Sequence, residues 1–257
     1  MHKLIAYRES VAASQNDNDD AAVLGQGDFV TNAHHVLPKD EHCVGAYSSG
    51  LGITQAQIDV PDLRDVSPIH VRPVNRTLLP AADYNFWDVR RKPIKIRTNQ
   101  EIRMLTTTDG TAGPNNQHHG LIIHDLNFNV GQGDPYVIRA TGVTTLVAGA
   151  WTLVQLTYDD QIKPGVYEIV GVEVLSATGI FFRVVFVGET YWRPGGICLQ
   201  NEGQKPITIF YPPSQGMDGM GLGSWGRFQN IYLPNIEVLA NAADTAQTVF
   251  FHCRKVA

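Results

Sequence analysis

Two adjacent histidines, an aspartate and a serine are the residues of this sequence whose types could support nucleophilic catalysis. His34 and His35 lie near the end of the segment GDFVTNAHHVL, Asp83 follows in AADYNFWDV, and Ser224 lies in GLGSWG. A histidine can take the proton from a serine hydroxyl while an aspartate orients the imidazole ring, which is how a catalytic triad divides its work. These four residues are therefore the candidates for hydrolase chemistry.

The histidine segment resembles the sequence around the catalytic base of trypsin-like serine proteases, in which V-T-x-A-H ends on that base. The resemblance implies His34 or His35 as the base and Asp83 as the orienting carboxylate. The G-D-S-G-G motif around the nucleophile of that family is absent, since Ser224 has no preceding aspartate and no following glycine pair. Because a triad acts as a unit, we expect no protease activity, and a trypsin-like serine hydrolase is the third function considered.

Metal and cofactor sites are not predicted either. His118, His119 and His124 lie in NNQHHGLIIH, where adjacent residues of a strand point to opposite faces and so cannot chelate one ion. A surface or interface role is the expectation for these histidines. Three cysteines show no zinc-like spacing and are expected to be buried and reduced: Cys43, Cys198 and Cys253.

A basic cluster and a glycine-rich loop are the segments that suggest partners. The cluster VRRKPIKIR (89–97) suits genome, acidic lipid of an internal membrane or an acidic patch, although a solvated strand edge is the simpler interpretation. Its cations are Arg90, Arg91, Lys92, Lys95 and Arg97.

The loop PPSQGMDGMGLGSWG (212–226) carries apolar side chains on flexible backbone, an arrangement that can pack against a neighbouring subunit. The candidates for this contact are Met217, Met220, Leu222 and Trp225. A mobile surface loop with Trp225 tucked into its own fold is the alternative.

Short β-rich runs broken by turn residues dominate the chain from about residue 101 to 256. So many short candidate strands, separated by turn residues, predict an all-β, antiparallel β-sandwich. The runs are 101–108, 121–130, 135–141, 151–159, 166–177, 179–188, 206–211, 236–242 and 246–256.

Residues 1–91 are less regular, and their second half is punctuated by proline, which removes strand hydrogen bonds and favours extended backbone. We therefore expect an irregular, extended N-terminal region with few strands over 1–91, one of them possible at 42–50, and the sandwich over 92–257. A separate small N-terminal domain is the alternative. The prolines are Pro61, Pro68, Pro73, Pro80 and Pro93.

The composition restricts the classes of function. The 257 residues are 43% hydrophobic and 18% charged, with a net charge of −5, so no overall basic field favours nucleic acid. No apolar run reaches the length of a membrane span, and the first twenty residues lack the apolar core of a signal peptide. The expectation is a protein made in a cytosol that leaves it, if at all, by a route other than secretion.

Several segments resemble the jelly-roll coat proteins of icosahedral viruses, including tail-less phages and archaeal viruses with internal membranes. They are PIHVRPVNRTLLPAADYNFWDVRRKPIKI, VYEIVGVEVLS, GIFFRVVF, YWRPGGICL and PNIEVLANAADTAQTVFFHCRKV. The resemblance implies a β-sandwich of jelly-roll type and a capsid subunit that assembles with copies of itself and other virion proteins. It further implies location in the virion, assembly in the host cytoplasm, and no active site, cofactor or small-molecule substrate.

A carbohydrate- or receptor-binding virion protein of the same fold is the main alternative. Such a lectin-like protein would use exposed aromatic rings as stacking platforms. The candidate rings are those of Trp151, Trp192 and Trp225.

Overall fold

The computed structural model describes residues 1–50, 52–61, 69–71, 73, 86–110, 115–159, 161–199 and 221–257. Within these ranges the chain is all-β, with twenty strands and no α-helix. The paired strands run antiparallel to one another. The predicted all-β, antiparallel class is therefore confirmed. No helix in the described part of the chain is long and apolar enough to cross a bilayer.

The strands, numbered in chain order, are β1 (His2–Val11), β2 (Asn18–Val23), β3 (Val30–Thr31), β4 (His34–Val36), β5 (Glu41–Ser49), β6 (Ile53–Asp59), β7 (Ile69–Val71), β8 (Phe86–Asp88), β9 (Ile94–Ile96), β10 (Glu101–Thr108), β11 (Asn115–His124), β12 (Asp134–Gly142), β13 (Trp151–Val154), β14 (Leu156–Tyr158), β15 (Val166–Leu175), β16 (Gly179–Val185), β17 (Gly195–Ile197), β18 (Gly226–Gln229), β19 (Asn235–Ala240) and β20 (Gln247–Lys255).

The chain forms two compact units. Ile5–His124 makes up the N-terminal unit, and Asp125–Ala257 together with Met1–Leu4 makes up the C-terminal unit. The predicted division after residue 91 and the predicted start of the sandwich near residue 101 differ from this boundary. Strands β1 to β6 already occupy much of the first 59 residues. The possible strand at 42–50 corresponds to β5, whereas the others were not predicted because charged and polar side chains interrupt their apolar alternation, as in HKLIAYRESV.

The N-terminal unit arranges its main strands in two sets of four. One set has the order β1-β11-β5-β8 and the other β2-β10-β6-β7, and the two are joined where β1 pairs with β2. The strand β9 adds to β5, and the β3–β4 hairpin adds to β10. Its core consists of Ile5, Tyr7, Leu37, Cys43, Ala46, Ala56, Ile58, Val60, Val71, Ile96, Ile102, Met104, Leu121 and Ile123.

The C-terminal unit has two sheets. The five-stranded sheet has the order β14-β12-β20-β15-β18, and the four-stranded sheet has the order β13-β19-β16-β17. The pairing of β12 with β20 runs without a break from Asp134 opposite Lys255 to Gly142 opposite Gln247. Fully buried side chains in this unit include Val154, Ile169, Val172, Phe181, Val238 and Phe251.

Both units connect their strands in the same way. Apart from the additional strands β3, β4, β9 and β14, each unit has eight strands. When the remaining eight strands of each unit are numbered 1 to 8 along the chain, both units have one set in the order 1-8-3-6 and another in the order 2-7-4-5. The first and last strands of each unit are therefore neighbours, and the chain repeatedly crosses between the two sets.

The junction between the units falls inside a run that the sequence predicts as one strand. The predicted strand 121–130 ends at His124, and Leu126 has a left-handed backbone with φ 64°. A leucine in that conformation cannot continue a strand. Beyond the end of the strand, Leu126 and Phe128 are 38% and 37% exposed.

Candidate functional site

The histidine proposed as a catalytic base has carboxylate neighbours other than Asp83. His34 lies at the start of β4, with its Nε2 2.9 Å from Asp19 Oδ2 and its Nδ1 3.6 Å from Glu101 Oε2. The neighbouring His35 is buried, and its Nε2 lies 2.9 Å from the carbonyl oxygen of Ala6. Both rings are thus held by groups of their own unit, which the sequence motif does not reveal.

The other two residues of the proposed triad do not join this histidine within the described part of the N-terminal unit. Asp83 lies outside the described residues. Ser224 belongs to the C-terminal unit, where its N–H donates to the carbonyl oxygen of Asn129 at 3.1 Å. The geometry of His34 and Ser224 within their own units therefore adds no support to the protease resemblance.

The adjacent histidines of β11 are buried, so the expected surface role is corrected. His119 is fully buried, and its Nε2 lies 2.6 Å from Oδ2 of the equally buried Asp20. Asp20 Oδ1 also accepts hydrogen bonds from Thr106 and Asn18, each at 3.0 Å. A buried carboxylate needs such partners to offset its desolvation.

Among the described residues no group of histidine, cysteine or acidic side chains is arranged to hold a metal ion. The cysteines Cys43, Cys198 and Cys253 are buried and unbridged.

The basic cluster is partly engaged by acidic neighbours. Arg90 binds Asp88 through both carboxylate oxygens, at 2.9 and 2.6 Å, and this hydrogen bonding lowers the pKa of Asp88. Lys95 Nζ lies 2.8 Å from Asp40 Oδ2 and lowers the pKa of that carboxyl. Arg91, Lys92 and Arg97 are exposed. The positive charge that this segment can offer an acidic partner is smaller than five cations suggest.

The glycine-rich loop places its last apolar residues inside the protein. Met217 and Met220 lie outside the described residues, whereas Leu222 and Trp225 are both fully buried. The Trp225 ring stacks on Phe182 with centroids 6.1 Å apart and meets the His2 ring edge-on at 4.7 Å. Leu222 and Trp225 therefore have no exposed side chain for a subunit contact. Trp225 instead packs into its own fold, as the alternative interpretation of this loop expects.

The other two tryptophans proposed as stacking platforms, Trp151 and Trp192, are half-buried and contact neighbouring side chains. The Arg183 guanidinium lies over the Trp151 ring, with its Cζ 4.1 Å from the ring centroid. Trp192 is half-buried, and Tyr191 packs edge-on against it at 5.1 Å. With Trp225 buried, none of the three rings predicted as carbohydrate platforms is free on the surface of the described chain.

An exposed apolar segment that sequence analysis did not single out joins β12 to β13. In this 143–153 segment Val143 is 85% exposed, Val147 57% and Leu153 48%. Leu153 lies on β13, an edge strand of its sheet. Exposed apolar side chains on a sheet edge are typical of association surfaces. The run VTTLVAGAWTLV is apolar in sequence, but only the structure shows which of its side chains face solvent.

The 143–153 segment is anchored by an aspartate in the loop between β19 and β20. The carbonyl oxygen of Asp244 accepts a hydrogen bond from the Leu146 N–H at 2.8 Å, and Leu146 is buried. The Asp244 carboxylate accepts hydrogen bonds from the Ser176 hydroxyl and the Ala177 N–H. The backbone of the segment that carries the exposed valines is therefore held in place by hydrogen bonds.

Protonating Asp244 is expected to weaken this anchor. Partial burial opposes its ionisation, but hydrogen bonds from the backbone of Ala246, the Ser176 hydroxyl and the backbone of Ala177 outweigh it and lower the pKa of the carboxyl. A carboxyl whose pKa is lower in the folded chain stabilises the fold above its unfolded pKa of about 3.9, and this stabilisation is lost as the pH falls through the folded value.

We expect Asp244→Asn to lower the free energy of unfolding by about 1 kcal/mol at pH 6, after allowance for solvent screening. The difference from the parent should shrink as the pH falls below the unfolded pKa of about 3.9 and through the lower folded pKa. Chemical denaturation at several pH values measures both effects, with Asp134→Asn, a change of an exposed aspartate, as the control. A difference that persists unchanged at pH 2.5 would contradict the role of the carboxylate.

Comparison with known proteins yields one structural similarity. No family model and no curated protein matches the chain. Among solved structures the chain is similar to the major capsid protein P2 from bacteriophage PM2, at 11% identity, over 100% of this chain and 98% of that chain. The TM-score is 0.27. A TM-score this low supports no conclusion about the function of this chain.

Proposed function

We propose that this chain is a coat subunit of a virus, which assembles with copies of itself and with other virion proteins into an icosahedral shell. The observation that carries the proposal is the strand connectivity found in both units. Orders of 1-8-3-6 and 2-7-4-5 support the proposal because they match the connectivity of a jelly roll, which consists of eight strands in two Greek keys. The chain is then a tandem of two jelly rolls.

Jelly rolls serve in viral capsids and in lectin domains. The exposed side chains of the 143–153 segment favour the capsid role, because apolar surface next to an edge strand is stabilised by association. In a closed symmetric shell each subunit repeats the same weak contacts, and their sum stabilises the particle. The proposal places the chain in the virion after assembly in the host cytoplasm and assigns it no enzymatic reaction.

A contact of the basic cluster with genome or with lipid of an internal membrane belongs to the same proposal. Arg91 and Lys92 are the cations that would carry it, since both are exposed and neither forms an ion pair within the described ranges. Such a contact would weaken as the salt concentration rises, because it is electrostatic.

Replacing Val143 by aspartate is expected to weaken self-association of the purified chain at least tenfold. Burying a valine side chain contributes about 1.5–3 kcal/mol, and 1.4 kcal/mol corresponds to a factor of ten in the dissociation constant. The fold should be unaffected, because Val143 is 85% exposed. Sedimentation velocity over a range of concentrations, with negative-stain microscopy of the largest species, measures the effect.

Thr190→Asp is the matched control, since Thr190 is an exposed polar residue of the same unit that lies outside the 143–153 segment, and it receives the same charge. It should associate like the parent. Equal loss in both variants would show a general effect of charge, and the 143–153 segment would not be the contact. A parent chain that stays monomeric at high concentration and forms no particles would contradict the coat-subunit proposal itself.

A further inference from the structure

We propose that a groove beside strand β18 of the C-terminal unit binds a neutral saccharide. The groove has a volume of about 380 Å³, within the roughly 300–1,000 Å³ range of ligand pockets. It lies next to an edge strand of the five-stranded sheet. The coat-subunit proposal makes no use of it. Its lining residues are Val166, Phe186, Val187, Arg227, Phe228, Gln229 and Tyr232.

The base of the groove is apolar and rigid. Phe186 and Phe228 are 7% and 5% exposed, and Phe228 stacks on Tyr167 with ring centroids 5.5 Å apart. Gly226 allows the Phe186 ring to lie directly against the backbone, because a Cβ at this position would be 2.6 Å from Phe186 Cζ. These packed rings make the groove preformed, and the apolar surface open to a ligand beside them is that of Val187, which is 65% exposed.

The rim of the groove carries three polar groups that can bind hydroxyls. The Arg227 side chain is 58% exposed and donates from Nε to Glu168 Oε1 at 2.9 Å. Within the described residues its other guanidinium nitrogens, the Gln229 amide and the Tyr232 hydroxyl form no hydrogen bond. Tyr232 is 56% exposed, and its N–H donates to the Gln229 carbonyl oxygen at 2.9 Å. This bond holds the turn that places both side chains at the groove.

The charge of the site decides between a neutral and an anionic ligand. The Glu168 carboxylate is 2% exposed and is paired with Arg227, so the positive charge of the guanidinium is already balanced. An anion would gain little from a site without net charge, whereas a neutral ligand can use the remaining N–H donors. An apolar base with donors and acceptors at the rim matches a pyranose ring, which has an apolar face and hydroxyls around its edge.

The experiment uses the full chain and a glycan array containing neutral and sialylated glycans, followed by titration calorimetry with the best neutral hit. Binding of neutral glycans is the expected result. Tyr232→Ala and Gln229→Ala should each weaken that binding at least tenfold. Ile231→Ala is the matched control, since Ile231 is 68% exposed and adjacent in sequence but does not line the groove. It should bind within twofold of the parent.

Three results would overturn the proposal: no neutral glycan is bound, only sialylated glycans are bound, or Tyr232→Ala binds like the parent. A fourth is that Tyr232→Ala leaves glycan binding unchanged but reduces self-association, which would mean that a second copy of the chain occupies the groove. The outcome is independent of the coat-subunit proposal, which is tested by the Val143 and Thr190 variants in the absence of glycan.

Discussion

Replacing Trp225 by alanine is expected to lower the free energy of unfolding of the C-terminal unit by about 3–5 kcal/mol. Trp225 is fully buried and contacts the rings of Phe182 and His2. Removing the indole loses the transfer free energy of a large side chain and leaves a cavity that the surrounding strands cannot fill. Urea denaturation, followed by the fluorescence of the remaining tryptophans and by circular dichroism, measures the change.

Tyr232→Ala is the control, because it removes an aromatic ring of the same unit that is 56% exposed. Its effect should be within about 0.5 kcal/mol of the parent. Any loss of assembly in Trp225→Ala should then parallel the loss of folded protein. If this variant is as stable as the parent yet fails to assemble, Trp225 acts at a subunit contact. That result would contradict the conclusion that Trp225 is buried within its own chain.

Replacing Glu237 by glutamine is expected to destabilise the C-terminal unit by about 3–5 kcal/mol, because it removes the carboxylate that balances the buried charge of Arg183. Arg183 is fully buried on β16, and its Nε and a terminal nitrogen lie 3.1 and 2.6 Å from Glu237 Oε2 on β19. The double variant Arg183→Met, Glu237→Leu should recover most of this loss, since a matched apolar pair needs no desolvated charge.

The matched control is Glu173→Gln, which removes a carboxylate 3.4 Å from His252 Nε2 at a partly exposed position. It should cost less than about 1 kcal/mol, as expected for pairs near solvent. Thermal unfolding at fixed pH and salt, with the single variants Arg183→Met and Glu237→Leu added to complete a double-mutant cycle, measures the coupling. If Glu237→Gln costs no more than Glu173→Gln, the Arg183–Glu237 pair is accessible to water and the buried geometry is wrong.

Local patterns in the sequence predict many strands well. In EIRMLTTT every second side chain of β10 is buried, as the alternation of a strand with one face in the core requires. The run GIFFRVVF is apolar on both faces and forms β16, a strand paired on both sides. The arginine in the middle of that run needs an acidic partner, because burying a charge alone is unfavourable. The sequence does not identify that partner as Glu237, which lies 54 residues away.

Other elements are hidden because tertiary contacts override local composition. HKLIAYRESV contains several charged residues yet forms β1, and its Lys3 is 1% exposed with Nζ 4.2 Å from the centre of the Tyr191 ring. The short strands β17 and β18 fall in glycine-containing segments that indicate turns by composition. Pairing with β16 and β15, respectively, makes them strands, and pairing partners cannot be inferred from the segments themselves.

By itself the sequence determined the all-β class, the approximate positions of the long strands from β10 onwards, and the absence of a complete protease motif. These follow from side-chain alternation, turn residues and short motifs, which are local properties of the chain. The tertiary structure decided the boundary at His124, the repeated connectivity, the burial of Trp225 and His119, and the groove beside β18. Each of these depends on contacts between distant segments, as when β12 pairs with β20, and such contacts are set by the packing of the whole unit.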